Sequence, residues 1–211
     1  TFQFIMCERT MFKNIFKILP GHFMSIDLKT WNIKQEKYWE PNFRVDQFHT
    51  EEYFIAELKT ILEETISQQL RSDVPLGTYL SGGIDSSLVT IIAAKLLNKP
   101  IKSFSGAFKE GSEFDELKYA RIAANTANAE LFEIFPTEQE FIDLIPKLIY
   151  HLDEPVAGPG LFPQYVVSNL ASKHVKVILG GQGGDEIFGG YTRYLVAYLE
   201  QALKGAIHES N

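Results

Sequence analysis

Two glycine-rich turns hold the residues of this chain best suited to chemistry. The first reads Leu80-Ser81-Gly82-Gly83-Ile84-Asp85-Ser86-Ser87. Apolar residues precede it (Val74, Leu76, Tyr79, Leu80) and a helical pattern follows (Leu88, Val89, Ile91, Ile92, Leu96). Strand, tight turn and helix start in that order make a phosphate cradle. Gly82 and Gly83 permit unusual backbone angles and close approach of a ligand, while free amides at the helix start and the hydroxyls of Ser81, Ser86 and Ser87 can donate to phosphate oxygens. Asp85 is then the group to hold a magnesium ion against those oxygens. The second turn, Gly180-Gly181-Gln182-Gly183-Gly184-Asp185-Glu186-Ile187-Phe188-Gly189-Gly190-Tyr191, follows the apolar run from Val175 to Leu179. Its glycines let backbone approach a nucleotide, and Asp185 can offer magnesium a second carboxylate opposite Asp85.

The elements around the turns must bring them together. Residues 1–45 carry short strand-like pieces such as 22–28, with turns at Pro20-Gly21 and near Trp31-Asn32, and differ in character from residues 46–211. A long helix is expected from Thr50, with Glu51 and Glu52 in its first turn. The stripe Phe54, Leu58, Ile61, Leu62, Thr65 and Gln69 is expected to face a core. Strands and helices then alternate: strands over 76–80, 101–108, 131–135 and 175–179, helices over 86–98, 114–128, 138–152 and 162–173, and a last helix from about Tyr191. This order predicts an α/β fold, a doubly wound parallel sheet with helices on both faces. Ligands of such sheets sit beyond the carboxyl ends of the strands, so both turns should open onto one crevice.

Composition narrows the function classes. The chain has 211 residues, 45% of them hydrophobic, and a net charge of -7 with no basic block, so an electrostatic footprint for nucleic acid is missing. The single cysteine, Cys7, excludes an internal disulfide or a Cys-x-x-Cys pair, fits a reducing cytoplasm and is expected only to pack. No segment has the length of a membrane span or the pattern of a signal peptide. The histidines His22, His49, His151, His174 and His208 lack metal-ligand spacing. Asp115 and Glu116 suit a helix start, Asp153 and Glu154 suit either a solvated turn or the guard of an acceptor pocket, and Tyr191, Arg193 and Tyr194 suit the start of a helix whose aromatics pack.

A Walker-type loop requires Gly-Lys-Ser/Thr, and no lysine occurs between Arg71 and Lys95. The first turn instead resembles the Ser-Gly-Gly-x-Asp-Ser pyrophosphatase (PP) loop of enzymes that cut ATP between its α and β phosphates. With the second turn, similar to Gly-x-Gly-x-Asp-Glu-x-Phe-Gly-Gly-Tyr, the chain resembles the synthetase domain of glutamine-dependent asparagine synthetases. The likeness extends to Ser103-Phe104-Ser105-Gly106, to Phe114-Asp115-Glu116 with Ala120-Arg121, and to Leu152-Asp153-Glu154-Pro155. At the start, Arg9 to Ile15, Leu19-Pro20-Gly21-His22 and Tyr38-Trp39 look like the last strands of the family's glutaminase domain. Residues 1–45 would then be that domain's remnant and linker, and 46–211 an ATP-pyrophosphatase domain of the adenine nucleotide alpha hydrolase-like fold whose C-terminal part is missing.

The resemblance implies asparagine synthesis. The side-chain carboxylate of aspartate attacks the α phosphorus of ATP, pyrophosphate leaves, and ammonia, derived from glutamine in the full-length enzyme, displaces AMP. Ser81, Gly82, Gly83, Ser86 and Ser87 would hold pyrophosphate, Asp85 and Asp185 magnesium, and the backbones of Leu80, Gly106, Gly180 and Gly181 the nucleoside. The family often has a serine at the place of Gly180 and an acid at that of Gln182. A catalytic Gln182 can position a group by hydrogen bonding but is no carboxylate base. Ala157-Gly158-Pro159-Gly160 also lacks polar side chains that many relatives place near the acceptor. The glutaminase cysteine and a catalytic lysine of the family have no counterparts, so the chain is expected to be an inactive piece of a longer cytoplasmic enzyme, possible as a homodimer when whole. Two alternatives stay open. One is a related PP-loop enzyme acting on another carboxylate; the other is a silent ATP-binding module.

Overall fold

The computed structural model describes residues 5–108, 116–154, 158 and 160–208. The chain divides into two compact units, Thr1–Glu57 with Glu138–Phe162, and Leu58–Thr137 with Pro163–Asn211.

In the first unit, β1 (His22–Ile26) and β2 (Ile33–Lys37) pair antiparallel with His22 opposite Lys37 and Ile26 opposite Ile33. Gly21 and Trp31 take positive φ of 69° and 57°, where the sequence placed its turns. Asp27 closes the hairpin by accepting from the amides of Lys29 and Thr30, an Asx-type turn whose hydrogen bonds hold the carboxyl below its ordinary range. Helix α1 (Glu51–Gln69) begins in this unit and ends in the other, and α4 (Glu138–Leu152) belongs to the first. Cys7 is exposed rather than packed.

The second unit holds a four-stranded, all-parallel sheet. Its strands are β3 (Leu76–Tyr79), β4 (Lys102–Gly106), β5 (Glu130–Ile134) and β6 (Val177–Leu179), in the order β5-β4-β3-β6. Its helices are α2 (Ile84–Leu97), α3 (Leu117–Thr126), α5 (Leu161–Ser172), the short α6 (Gly184–Phe188) and α7 (Thr192–His208). Strand side chains alternate between faces. Phe104, Phe132 and Tyr79 pack with Val167 and Ala171 of α5, whereas Leu80 and Leu131 pack with Ala120, Ala123 and Ala124 of α3. On the α3 side, α2 supplies Ala93 and Ala94, which join Ile66 of α1 and Leu179 of β6 in a further apolar cluster. The sheet is therefore covered on both faces, as the alternating pattern predicts.

A buried polar relay ties the layers: Thr90 of α2 donates to the Thr78 hydroxyl at 3.0 Å, and Thr78 shares a 2.8 Å hydrogen bond with Ser103 of β4. The strands are shorter than expected. Ile101 and Val175 lie just outside them, Val175 because its amide donates to Ala171 as the tail of α5. Helix α2 ends at Asn98, left-handed at φ 50°; α3 ends likewise before Asn128, and the expected start of α3 at Phe114 and Asp115 lies outside the described residues. The α1 stripe is a correction. Phe54, Leu58, Ile61, Thr65 and Gln69 are exposed, and the residue buried is Ile66, with Leu70 packed against the same cluster. The expected stripe ran one position out of phase at the helix's second half, where Thr65 and Gln69 were counted in place of Ile66 and Leu70.

Candidate functional site

Parallel pairing decides where the two turns emerge. Thr78 lies opposite Leu179 and Tyr79 opposite Phe104, so β3 and β6 are neighbours that end at the same edge of the sheet. Each strand passes directly into its glycine turn and then into a helix, α2 or α6.

The first turn is wound around two hydroxyls. The Ser81 amide donates to Ser86 Oγ at 3.2 Å, Ser86 Oγ donates to the Gly83 carbonyl at 3.1 Å, and the Ser81 and Ser86 hydroxyls lie 3.0 Å apart. Gly82 has φ 98° and sits against the start of α3, where a Cβ would come 2.9 Å from the Ala120 amide nitrogen. No side chain caps α2 at Gly83. Its first-turn amides therefore face the turn without a side-chain acceptor, the arrangement that suits an anion.

The second turn lies on the first. A Cβ on Gly181 would come 2.8 Å from both Asp85 Cβ and the Ser86 nitrogen, and one on Gly184 would come 2.6 Å from Asp85 Oδ2. Gly190 is packed against Asp185 Oδ1 in the same way. These absent side chains allow the contact. The turn that carries Asp185 is thereby laid against the Asp85 carboxylate.

Between the turns lies a cleft of about 830 Å³, within the range of small-molecule sites. Of the residues expected to act, Ser81, Gly83, Asp85, Ser86, Gly181, Gln182 and Asp185 line it. Leu80, Gly82, Ser87, Gly106 and Gly180 belong to its supporting backbone and not to its lining. Leu80 is wholly buried, and Gly106 serves packing with α5, since a Cβ there would come 2.7 Å from Val167 Cγ2. Gln182 is exposed and folds its side-chain oxygen back toward Gly180.

The cleft has further walls. Glu116, read from sequence as a helix-start residue, lines it, as do Tyr79 of β3, Leu58 and Leu62 of α1 and Phe188 of α6. The signal for Tyr79 was its place one residue before Leu80 at the strand end. Tyr191 lines the cleft too, a correction to its expected role in packing. Its hydroxyl donates to Glu186 Oε1 at 3.1 Å. That hydrogen bond, with desolvation and the negative charges of Glu186 and Asp185, pushes the phenol above its ordinary value, and Arg193 opposes the shift. Glu154 pairs with Lys17 at 2.9 Å within the first unit, Asp153 turns the chain at φ 56°, and Pro155, Ala157 and Pro159 lie outside the described residues.

The donor chemistry fits magnesium. Two hard carboxylates, Asp85 and Asp185, share one cleft with anion-binding amides, and magnesium is usually held by one or two carboxylates together with substrate phosphates. Among the described residues no cluster of three or more His, Cys, Asp or Glu could hold a metal by itself. Among the described helices none is long and apolar enough to cross a membrane.

The sequence model of the asparagine synthase family matches residues 57–209. The glutamine-hydrolyzing asparagine synthetase 1 of Bacillus subtilis is 34% identical over 92% of this chain and 30% of its own length. Amidase chyE of Penicillium rubens is 28% identical over 92% of this chain and 31% of its own. The chain thus spans about a third of the length of such relatives. Among solved structures, the NH3-dependent NAD synthetase of Campylobacter jejuni aligns with a TM-score of 0.45 and 16% identity over 64% of this chain and 60% of that one.

Proposed function

Because the chain belongs to the asparagine synthase family, we propose that its cleft binds ATP with magnesium and activates a carboxylic acid, aspartate in the first place, for amide formation. The observation that carries this reading is the stacking of the Asp185 turn on the Asp85 carboxylate at the ends of neighbouring parallel strands. In the reaction a carboxylate oxygen bonds to the α phosphorus as the bond to the bridging oxygen of the β phosphate breaks. Pyrophosphate departs, ammonia adds to the acyl carbon, and AMP leaves with loss of a proton.

The chain's own part is preorganisation. The amides at the start of α2 and the hydroxyl of Ser81 donate to the departing pyrophosphate, where negative charge grows, while Ser86 holds the loop by donating to the Gly83 carbonyl and Ser87 stands outside the lining. Backbone at Gly83 and Gly181 lines the cleft and leaves room for the nucleotide, with Leu80, Gly82, Gly106 and Gly180 supporting it from behind. Asp85 and Asp185 would hold magnesium, which when bound neutralises phosphate charge. Gln182 donates or accepts one hydrogen bond at the cleft edge to orient the acceptor. Residues 1–45 end a glutaminase domain that delivers the ammonia.

A second reading keeps the activation and changes the acid. Gln182 puts a neutral amide in the cleft lining, and one relative of this chain is named an amidase. The test that separates the readings is isotope exchange between pyrophosphate and ATP, run on the full-length enzyme with magnesium and a panel of carboxylic acids. Exchange with aspartate alone supports asparagine synthesis, and exchange with another acid alone selects the second reading. Magnesium–ATP binding without exchange on any acid refutes both and leaves a nucleotide-binding module. Asp85→Ala abolishes exchange with the fold intact; full exchange in that variant removes the metal assignment.

A further inference from the structure

Among the described residues, those lining the cleft include four carboxylates, of Asp85, Glu116, Asp185 and Glu186, and no lysine or arginine. A pocket of that charge repels a polyphosphate, and one magnesium ion cancels only part of the combined charge. A cation is called for at the rim. Among the described residues Arg193 stands in position to supply one. Its guanidinium carbon lies 4.2 Å from the ring centre of Tyr191, a lining residue, and 5.4 Å from that of Tyr194. The two rings are themselves 5.8 Å apart, so they form a cradle for the guanidinium.

Two further observations separate Arg193 from an ordinary surface arginine. Among the described residues no ion pair or side-chain hydrogen bond engages it, although Glu186 stands close by on the Tyr191 hydroxyl. It also occupies the first turn of α7, where the helix dipole disfavours a positive charge. A local choice that works against the helix, held by two aromatic rings and left without an anion, marks a group kept for a ligand.

Resting on the proposed ATP-binding function, we propose that Arg193 is a binding residue for the phosphate chain, held by Tyr191 and Tyr194 with its N–H edges turned to anionic phosphate oxygens at the mouth of the cleft. Stacking on a ring face leaves the in-plane donors of a guanidinium free, and arginine pairs with phosphate through two such donors at once.

The test is calorimetric titration of the 211-residue chain with magnesium pyrophosphate at several salt concentrations, for wild type, Arg193→Met, Arg193→Lys and Asp85→Ala, each with its melting temperature. We expect Arg193→Met to weaken binding about tenfold and to flatten the salt dependence, with an unchanged melting temperature. Arg193→Lys keeps the salt dependence and recovers part of the affinity. Wild-type affinity in Arg193→Met overturns the proposal, and so does an equal loss in the methionine and lysine variants with salt dependence unchanged, because a merely structural role would give that. If wild type binds and Asp85→Ala does not while Arg193→Met matches wild type, this inference alone falls. If wild type fails to bind magnesium pyrophosphate, the proposed function falls with it.

Discussion

Replacing Gly184 by alanine adds one methyl group at the point where the two turns meet. Its Cβ would lie 2.6 and 2.7 Å from the two carboxylate oxygens of Asp85. That is nearly 1 Å inside an ordinary contact of about 3.5 Å. The obstruction is the end of a side chain and not backbone, so Asp85 can rotate away at a cost of about 1 kcal/mol. Alanine in place of glycine at a helical position returns up to about 1 kcal/mol. Stability should therefore hardly change. Ligand binding should suffer, because the Asp85 carboxylate has left the position that faces the phosphates. Loss of one charged contact costs about 1.5–3 kcal/mol, or roughly 10- to 150-fold in affinity for magnesium pyrophosphate. Gly183→Ala is the matched control. Gly183 has φ 96° with nothing within 4 Å of a Cβ, so that variant carries backbone strain of about 1–3 kcal/mol and places no methyl on Asp85. Calorimetry and thermal melting on the pair should give opposite signatures, a binding defect in Gly184→Ala and a stability defect in Gly183→Ala. Tight binding by Gly184→Ala would show that Asp85 has no part in holding the ligand.

Thr78→Val keeps the volume of a fully buried side chain but leaves the hydroxyls of Ser103 and Thr90 without their shared partner, so urea unfolding should show a loss of about 2–3 kcal/mol; a loss under 0.5 kcal/mol would mean that the relay is incidental. Glu133 accepts two hydrogen bonds from Arg121, at 2.7 and 2.8 Å, which hold its carboxyl below the ordinary value near 4.5. The folded form is thus favoured above that value and loses the contribution as pH falls through the lowered one, so Glu133→Gln should flatten the stability profile below about pH 4.5 and leave the rest unchanged.

Both turns and the strands that feed them were legible because their signals are local. An apolar run, a glycine pair of which one member takes positive φ, and a helical pattern need nothing from the rest of the chain, and Gly82 at 98° and Gly183 at 96° occupy the conformations such turns demand. The residues that close the cleft were not legible in the same way. Glu116 is brought to the phosphate loop because its carbonyl lies against Gly82, a contact between segments more than thirty positions apart. Tyr191 was read as packing because an aromatic before an apolar helix usually is, and its hydrogen bond to Glu186 depends on how α6 ends, with Gly189 left-handed at 70°. The stripe of α1 failed for a related reason: polar Thr65 and Gln69 fit the spacing from Leu58 and Leu62, whereas burial goes to apolar Ile66.

The place of the cleft follows from topology, and its chemistry does not. From β3 the chain moves outward through β4 to β5, then returns to lay β6 on the other side of β3. The direction of winding reverses between β3 and β6. Helices that follow or precede these two strands, α2 and α5, cover opposite faces, so neither helix crosses the ends of β3 and β6 and a crevice is left there. Any sequence with this strand order would have a crevice at this point. What this sequence adds is the glycine content that lets one turn rest on the other, and the carboxylates of Asp85 and Asp185 that the contact assembles. A bulkier residue at 181 would meet backbone at Ser86, with no flexible side chain to give way, and would have to separate the turns. Glycine at 181 therefore sets the distance between the two carboxylate-bearing turns, while glycine at 184 only keeps the Asp85 carboxylate in place. That difference is why substitution at 181 should damage folding and binding together, and substitution at 184 binding alone.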